Sequence, residues 1–187
     1  MIYPIVAYGH PVLRKVAEDI EEGDLDVKKL IEDMFETMYN AHGVGLAAPQ
    51  IGKAIRIFVV DGSPMGDDEE DDEMEGFKKV FINPIIVEEK GEKWGFEEGC
   101  LSIPDVRETV MRHDTVTINY LDENFEEHEE TYDGVKARII QHEYDHIEGV
   151  LFTDYLSSFK KRLLKSRLTN ISKGKVSSGY RMTFPKK

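Results

Sequence analysis

The chain has 187 residues, 40% of them hydrophobic and 33% charged, with a formal net charge of −13. That length suits one domain with a sizeable core. No apolar run is long enough to span a bilayer, and the acidic balance argues against a general affinity for nucleic acid, DNA included.

One cysteine, Cys100, forbids an internal disulfide, and the opening Met1-Ile2-Tyr3-Pro4 lacks a basic segment followed by an apolar run. A reducing cytoplasm and no membrane association are therefore expected. The first strong element is a helix over residues 24–40, where Val27, Leu30, Ile31, Met34, Phe35, Met38 and Tyr39 recur at helical spacing. Asp24 or Asp26 is placed to cap its start, and Gly43 follows its end. Gly43-Val44-Gly45-Leu46-Ala47-Ala48-Pro49-Gln50 comes next, a run of small residues that alone reads as a C-cap and loop. β-branched residues predict strands at 55–60, 80–87 and 116–121. Between the first two, the acidic run at 65–76 is too charged to bury, lacks the spacing of a calcium-binding loop, and is expected to be mobile and solvated. Asp122-Glu123-Asn124 turns the third strand back into one at 127–131, which gives antiparallel pairing. Asp133-Gly134 opens a helix at 135–148, stopped by Gly149, and a last helix at 155–172 ends before Gly174. The expected domain is 1–172, with 173–187 as a basic tail. Ten of the 24 Lys and Arg residues fall at 155–187 with no Asp or Glu, so that segment carries +10 and the rest −23.

The helix at 135–148 carries His142-Glu143-Tyr144-Asp145-His146. Residues four apart share one helix face, so both imidazoles can reach one cation while Glu143 projects beside them toward an open coordination position. No histidine follows His146 closely, which excludes the version of this motif with a third histidine just downstream. Cys100, in Glu98-Gly99-Cys100-Leu101-Ser102-Ile103-Pro104, is the candidate third ligand. Its polar, glycine-containing surroundings suit a strand edge or tight turn more than a buried core thiol. Asp145 needs a cationic partner if its helix is buried, and Arg112 is the candidate. Arg138 is an unusual charge so close to the motif, and it is placed at the mouth of the expected pocket.

In this order Gly-x-Gly-x-Ala-Ala-x-Gln, Glu-Gly-Cys-Leu-Ser and Gln-His-Glu-x-Asp-His resemble the three signature motifs of the peptide deformylases. Gly9-His10-Pro11-Val12-Leu13-Arg14 extends the resemblance, which covers most of residues 1–155. It implies an α+β fold in which small antiparallel sheets surround the motif helix, with a further helix toward the C-terminus. The implied activity is hydrolysis of the formyl group from the N-terminal formylmethionine of nascent polypeptides. It further implies one divalent metal per chain on Cys100, His142 and His146, iron(II) in the cell, with zinc, nickel or cobalt able to replace it in purified protein. Glu143 would be the general base, and the Gln50 amide with the Leu101 N–H would stabilise the oxyanion. Val44, Gly45, Gly99, Val135 and Ile139 would bind substrate, and the basic C-terminal helix and tail would contact the ribosome. Two other readings of the motif stay open here: a zinc-dependent peptidase, and a non-catalytic metal-binding module.

Overall fold

The computed structural model describes residues 1–65 and 74–186. In chain order it contains β1 (Ile5–Val6), α1 (Val27–Asn40), β2 (Gly45–Ala47), β3 (Ile57–Asp61), β4 (Lys78–Cys100), β5 (Ile103–Leu121), β6 (Glu127–Asp133), α2 (Gly134–Ile147), α3 (Ser158–Ser172) and β7 (Met182–Thr183). The centre of the acidic loop expected at 65–76 lies outside the described residues. Its flanks, Met65 and Met74, pack on one apolar cluster.

Strands β2 to β6 form an antiparallel sheet in sequence order, and β1 pairs with β7 in a second, two-stranded sheet. That smaller sheet is parallel, not antiparallel as expected: β1 and β7 are not joined by a hairpin but stand at opposite ends of the chain, with all the other elements between them. The side-chain period of 2 divides the core at β3. Ile57 and Val59 face α1, joining Met34, Met38 and Leu46. Phe58 and Val60 face α2, joining Phe81, Ala137, Ile140 and Ile147. All of these are fully or nearly fully buried, each large side chain contributing about 1.5–3 kcal/mol relative to exposure. Helix α2 touches β2, β3, β5 and β6, so the motif helix is central to the fold.

Asp26 caps α1, accepting from Lys29 N at 3.0 Å. Asp122 forms the expected turn by accepting from Asn124 N at 2.8 Å and Glu126 N at 3.0 Å. The last helix starts later than expected, at Ser158, because Phe152–Tyr155 forms a short 3-10 turn and Leu156 is extended; Ser157 then accepts from Lys160 N. Phe159 and Leu163 point to solvent at 62% and 66% exposure, while Leu164, Leu168 and Ile171 pack inward beside Phe152 and Ile103.

β4 and β5 run far beyond the expected strands. Glu88, Glu89 and Lys90 pair with Thr117, Val116 and Thr115 in an exposed ribbon that continues to Gly99 opposite Arg107. The next pair is Cys100 with Ile103, so β5 holds three unpaired residues there, including Asp105 at φ 59°. This irregularity bends the ribbon into the two-residue turn Leu101–Ser102 and brings Cys100 against α2.

Candidate active site

His142, Glu143 and His146 lie on the buried face of α2. The two imidazole rings stand 5.2 Å apart between centroids at 74°, and the Cys100 sulfur lies 3.3 Å from His146 Nε2. One donor atom from each of Cys100, His142 and His146 falls within 4.8 Å of the others, close enough to share one ion. Among the described residues the other grouping of this kind is Asp122, Glu126 and His128, at the β5–β6 turn. One sulfur and two imidazoles suit a borderline transition-metal ion and leave coordination positions for water and substrate. The buried donor set therefore fits a catalytic cation.

Glu98 organises this site and was not singled out from the sequence. Its Oε1 accepts from Arg112 Nε at 2.7 Å and a guanidinium nitrogen of Arg138 at 2.9 Å; its Oε2 accepts from a second Arg112 nitrogen at 3.1 Å and faces His142 Nδ1 at 2.8 Å. Holding Nδ1 leaves Nε2 of His142 for the site and fixes the ring plane. Arg112 also donates to Asp145 at 2.7 Å, the pairing expected above, and Tyr155 adds a bond to the same carboxylate. Arg138 borders the cleft, as expected, but as a buried group rather than at an open rim. It is 2% exposed and donates to Glu98 and to the carbonyls of Val110 and Trp94, its guanidinium over the Trp94 ring. Two arginines thus balance Glu98 and Asp145. Burial alone would raise the Glu98 carboxyl, but hydrogen bonds with His142 and Arg112 hold it well below the usual carboxylate range.

Period-2 reasoning would have found Glu98: on a strand it shares its face with Cys100, which must meet α2. Nothing comparable marks Arg138, whose partners come from three separate strand positions.

Gln50 is buried at the end of the small-residue run. Its Oε1 accepts from Ala47 N at 2.9 Å, which turns the amide nitrogen toward Cys100 Sγ at 3.5 Å and Ser102 Oγ at 3.3 Å. Gly45, on the outer strand β2, passes so close to Glu143 that a Cβ would overlap the carboxylate. Glu143 Oε2 is buried with no hydrogen-bond partner among the described residues, and burial pushes the carboxyl up to about 7. A cleft of about 570 Å³ opens over these groups. Val44, Gly45, Gly99, Val135 and Ile139 all border it, as do Gln50, Cys100, Leu101, His142 and Glu143. His146 does not, being 1% exposed.

A buried helix presenting a glutamate beside a Cys-His-His donor set, under an open cleft, defines a metal-dependent hydrolase. The polypeptide deformylase family profile matches residues 2–162, so the chain belongs to that family. A peptide deformylase of Christiangramia forsetii is 60% identical over 99% of this chain and 97% of its own length. One of Cytophaga hutchinsonii is 61% identical over 99% and 98%. Among solved structures, the peptide deformylase of Legionella pneumophila superposes with a TM-score of 0.80 at 39% identity, covering 94% of this chain and 98% of that one. The Thermotoga maritima enzyme gives 0.75 at 40% identity, covering 84% and 99%. The chain is a hydrolase that removes the formyl group from the N-terminus of nascent polypeptides, and its family is metal-dependent. This decides against the peptidase and the non-catalytic module left open by the motif alone.

Proposed function

We propose that Cys100, His142 and His146 hold one divalent cation and that Glu143 is the general base of deformylation. When bound, the cation supplies Lewis acidity and brings the pKa of a coordinated water toward ~7. The observation that carries the reading is Glu143 itself. It is buried beside the donor set, borders the cleft, has an oxygen with no partner among the described residues, and has a carboxyl raised to about 7, close to neutral pH. In this reading Glu143 takes a proton from the attacking water and passes it to the departing amine, leaving formate and a free amino terminus. The Gln50 amide nitrogen, oriented by its bond from Ala47 N, and the Leu101 N–H stabilise the oxyanion. Val44, Gly45, Gly99, Val135 and Ile139 bind the substrate, the apolar side chains among them receiving the unbranched thioether of formylmethionine.

Iron(II) is the proposed cellular metal, with zinc, nickel and cobalt able to occupy the same donors. The test is anaerobic purification with metal analysis and a formate-release assay on formyl-Met-Ala-Ser. Glu143→Gln should keep one metal per chain and lose turnover by ~100-fold or more. Near-full activity in that variant would remove Glu143 from the mechanism, and equal activity with zinc in air would remove iron.

The proposed location is the cytoplasm, where the unpaired Cys100 stays reduced. Among the described residues no helix is long and apolar enough to cross a membrane. The proposed partner is the ribosome, met through α3. Phe159 and Leu163 are exposed there among Lys161, Arg162, Lys165 and Arg167, a cationic surface suited to a phosphate-rich partner.

A further inference from the structure

The β4–β5 turn carries both the Cys100 sulfur and the Leu101 N–H, so whatever steadies it steadies two groups of the site. Only Leu101 and Ser102 lie between the paired residues Cys100 and Ile103. Both turn carbonyls are held from outside. Ser102 O accepts from Tyr8 N at 2.8 Å, and Leu101 O accepts from the Tyr180 hydroxyl at 2.8 Å. Tyr180 is the one side chain among the described residues that donates to Leu101 O.

Tyr180 belongs to the segment after α3, which returns to the body. Ser177 to Tyr180 border the same cleft as Glu143. The segment is anchored on both sides of its tip: Ser178 Oγ donates to Tyr180 O at 2.7 Å, and Ile5 N donates to Arg181 O at 2.8 Å just before β7. All of it lies beyond the residues 2–162 that the family profile covers.

We infer that Tyr180 is a positioning residue for deformylation, its hydroxyl fixing the Leu101 carbonyl so that the Leu101 N–H stays aimed at the developing oxyanion. The inference rests on the reading of Leu101 as an oxyanion donor. The N–H and C=O of Leu101 flank a single Cα in a turn too short for ladder hydrogen bonds, so a loose carbonyl lets the neighbouring peptide planes rock. A donor fixed in advance stabilises charge at no reorganisation cost, and small misplacements are expensive. Burial and the nearby Cys100 push the Tyr180 hydroxyl up to about 12, so it keeps its proton and its donor role through the neutral range.

The experiment compares the full chain with Tyr180→Phe, which removes one oxygen and keeps the ring. The expected result is a kcat on formyl-Met-Ala-Ser lower by about 10-fold, with KM within twofold, because a transition-state contact is lost while substrate binding is kept. Metal content and the shape of the pH–rate profile should stay as they were, and melting should stay cooperative. In the zinc-loaded protein, which is diamagnetic, the Leu101 amide should shift in the nitrogen–proton spectrum and exchange faster. An unmoved Leu101 amide overturns the positioning role. A moved amide with unchanged kcat overturns it differently, by showing that Leu101 N–H is not an oxyanion donor. If Tyr180→Phe loses its cooperative melting, Ser178→Ala decides, with the same pair of effects expected at smaller size and their absence counting against the inference.

Discussion

A Cβ on Gly45 would overlap Glu143 Oε1, so the smallest side chain possible at that position must displace the carboxylate. Gly45→Ala leaves the donor set untouched, and should keep the metal while lowering kcat by up to about 100-fold, the scale of a misplaced catalytic group. Unaltered formate release would show that Glu143 does not need its present position. Glu98 makes a different prediction. Its carboxyl is depressed in the folded protein, so its ionisation stabilises the fold in full above the unfolded carboxylate pKa of about 4.3, and that contribution fades as pH falls toward the folded value. Glu98→Gln also strands two buried arginines. The metal-free variant should be less stable than the metal-free parent at pH 7 by about 3–5 kcal/mol. The gap should narrow by about 1.4 kcal/mol for each pH unit below ~4.3. Urea unfolding at pH 7 and pH 3 reads both numbers, and a gap that stays constant would assign the titration elsewhere.

Among the elements, α3 has one face in the core and an opposite, exposed face proposed for docking. Its inner face, Leu168 and Ile171, is part of the core, so deleting the helix would test folding more than docking. Changing Lys161, Arg162 and Lys165 to Glu spares that face, as well as the Lys160–Glu108 ion pair that ties the helix to β5. The altered chain should lose salt-sensitive cosedimentation with ribosomes by 10-fold or more and keep its turnover on short formyl peptides. Equal sedimentation at low salt would move the docking surface elsewhere. The phase of this helix is not legible in the sequence, because Phe159 and Leu163 repeat at four residues just as Leu164, Leu168 and Ile171 do at four and three. Periodicity offers two stripes, and only packing against Phe152 and Ile103 chooses between them. β4 and β5 show another limit. The outer half of β4 is rich in Glu, Lys and Gly, poor strand formers, and becomes a strand because β5 supplies its hydrogen-bond partners. The motif helix was legible because its residues are fixed by chemistry at a spacing set by helix geometry. Glu98 was within reach of the period-2 rule, whereas Tyr180 acts through a contact between segments far apart in the chain.

At the scale of the whole molecule, the cleft joins distant parts of the sequence. Gly45 lies on the sheet's outer strand, Cys100 at the tip of a bent ribbon, Glu143 on the central helix and Tyr180 beyond α3. The charge is divided as well, −23 over residues 1–154 and +10 over 155–187, so the cationic face of α3 belongs to an otherwise acidic molecule. Such polarity favours orientation of the enzyme near a polyanion over tight adhesion to it.

The parallel pairing of Ile5 with Met182 and Val6 with Thr183 ties the first strand to the last, like a clasp closing a bracelet. A contact across so long a stretch of chain is entropically demanding, and on that ground it should form late. Tyr180 stands two residues from the clasp, so the last wall of the cleft should set only when the clasp shuts. Refolding should therefore pass through a stage with nearly full helix and sheet signal but little formate release, activity following in a slower phase. Activity that returned in step with secondary structure would mean that the clasp closes early.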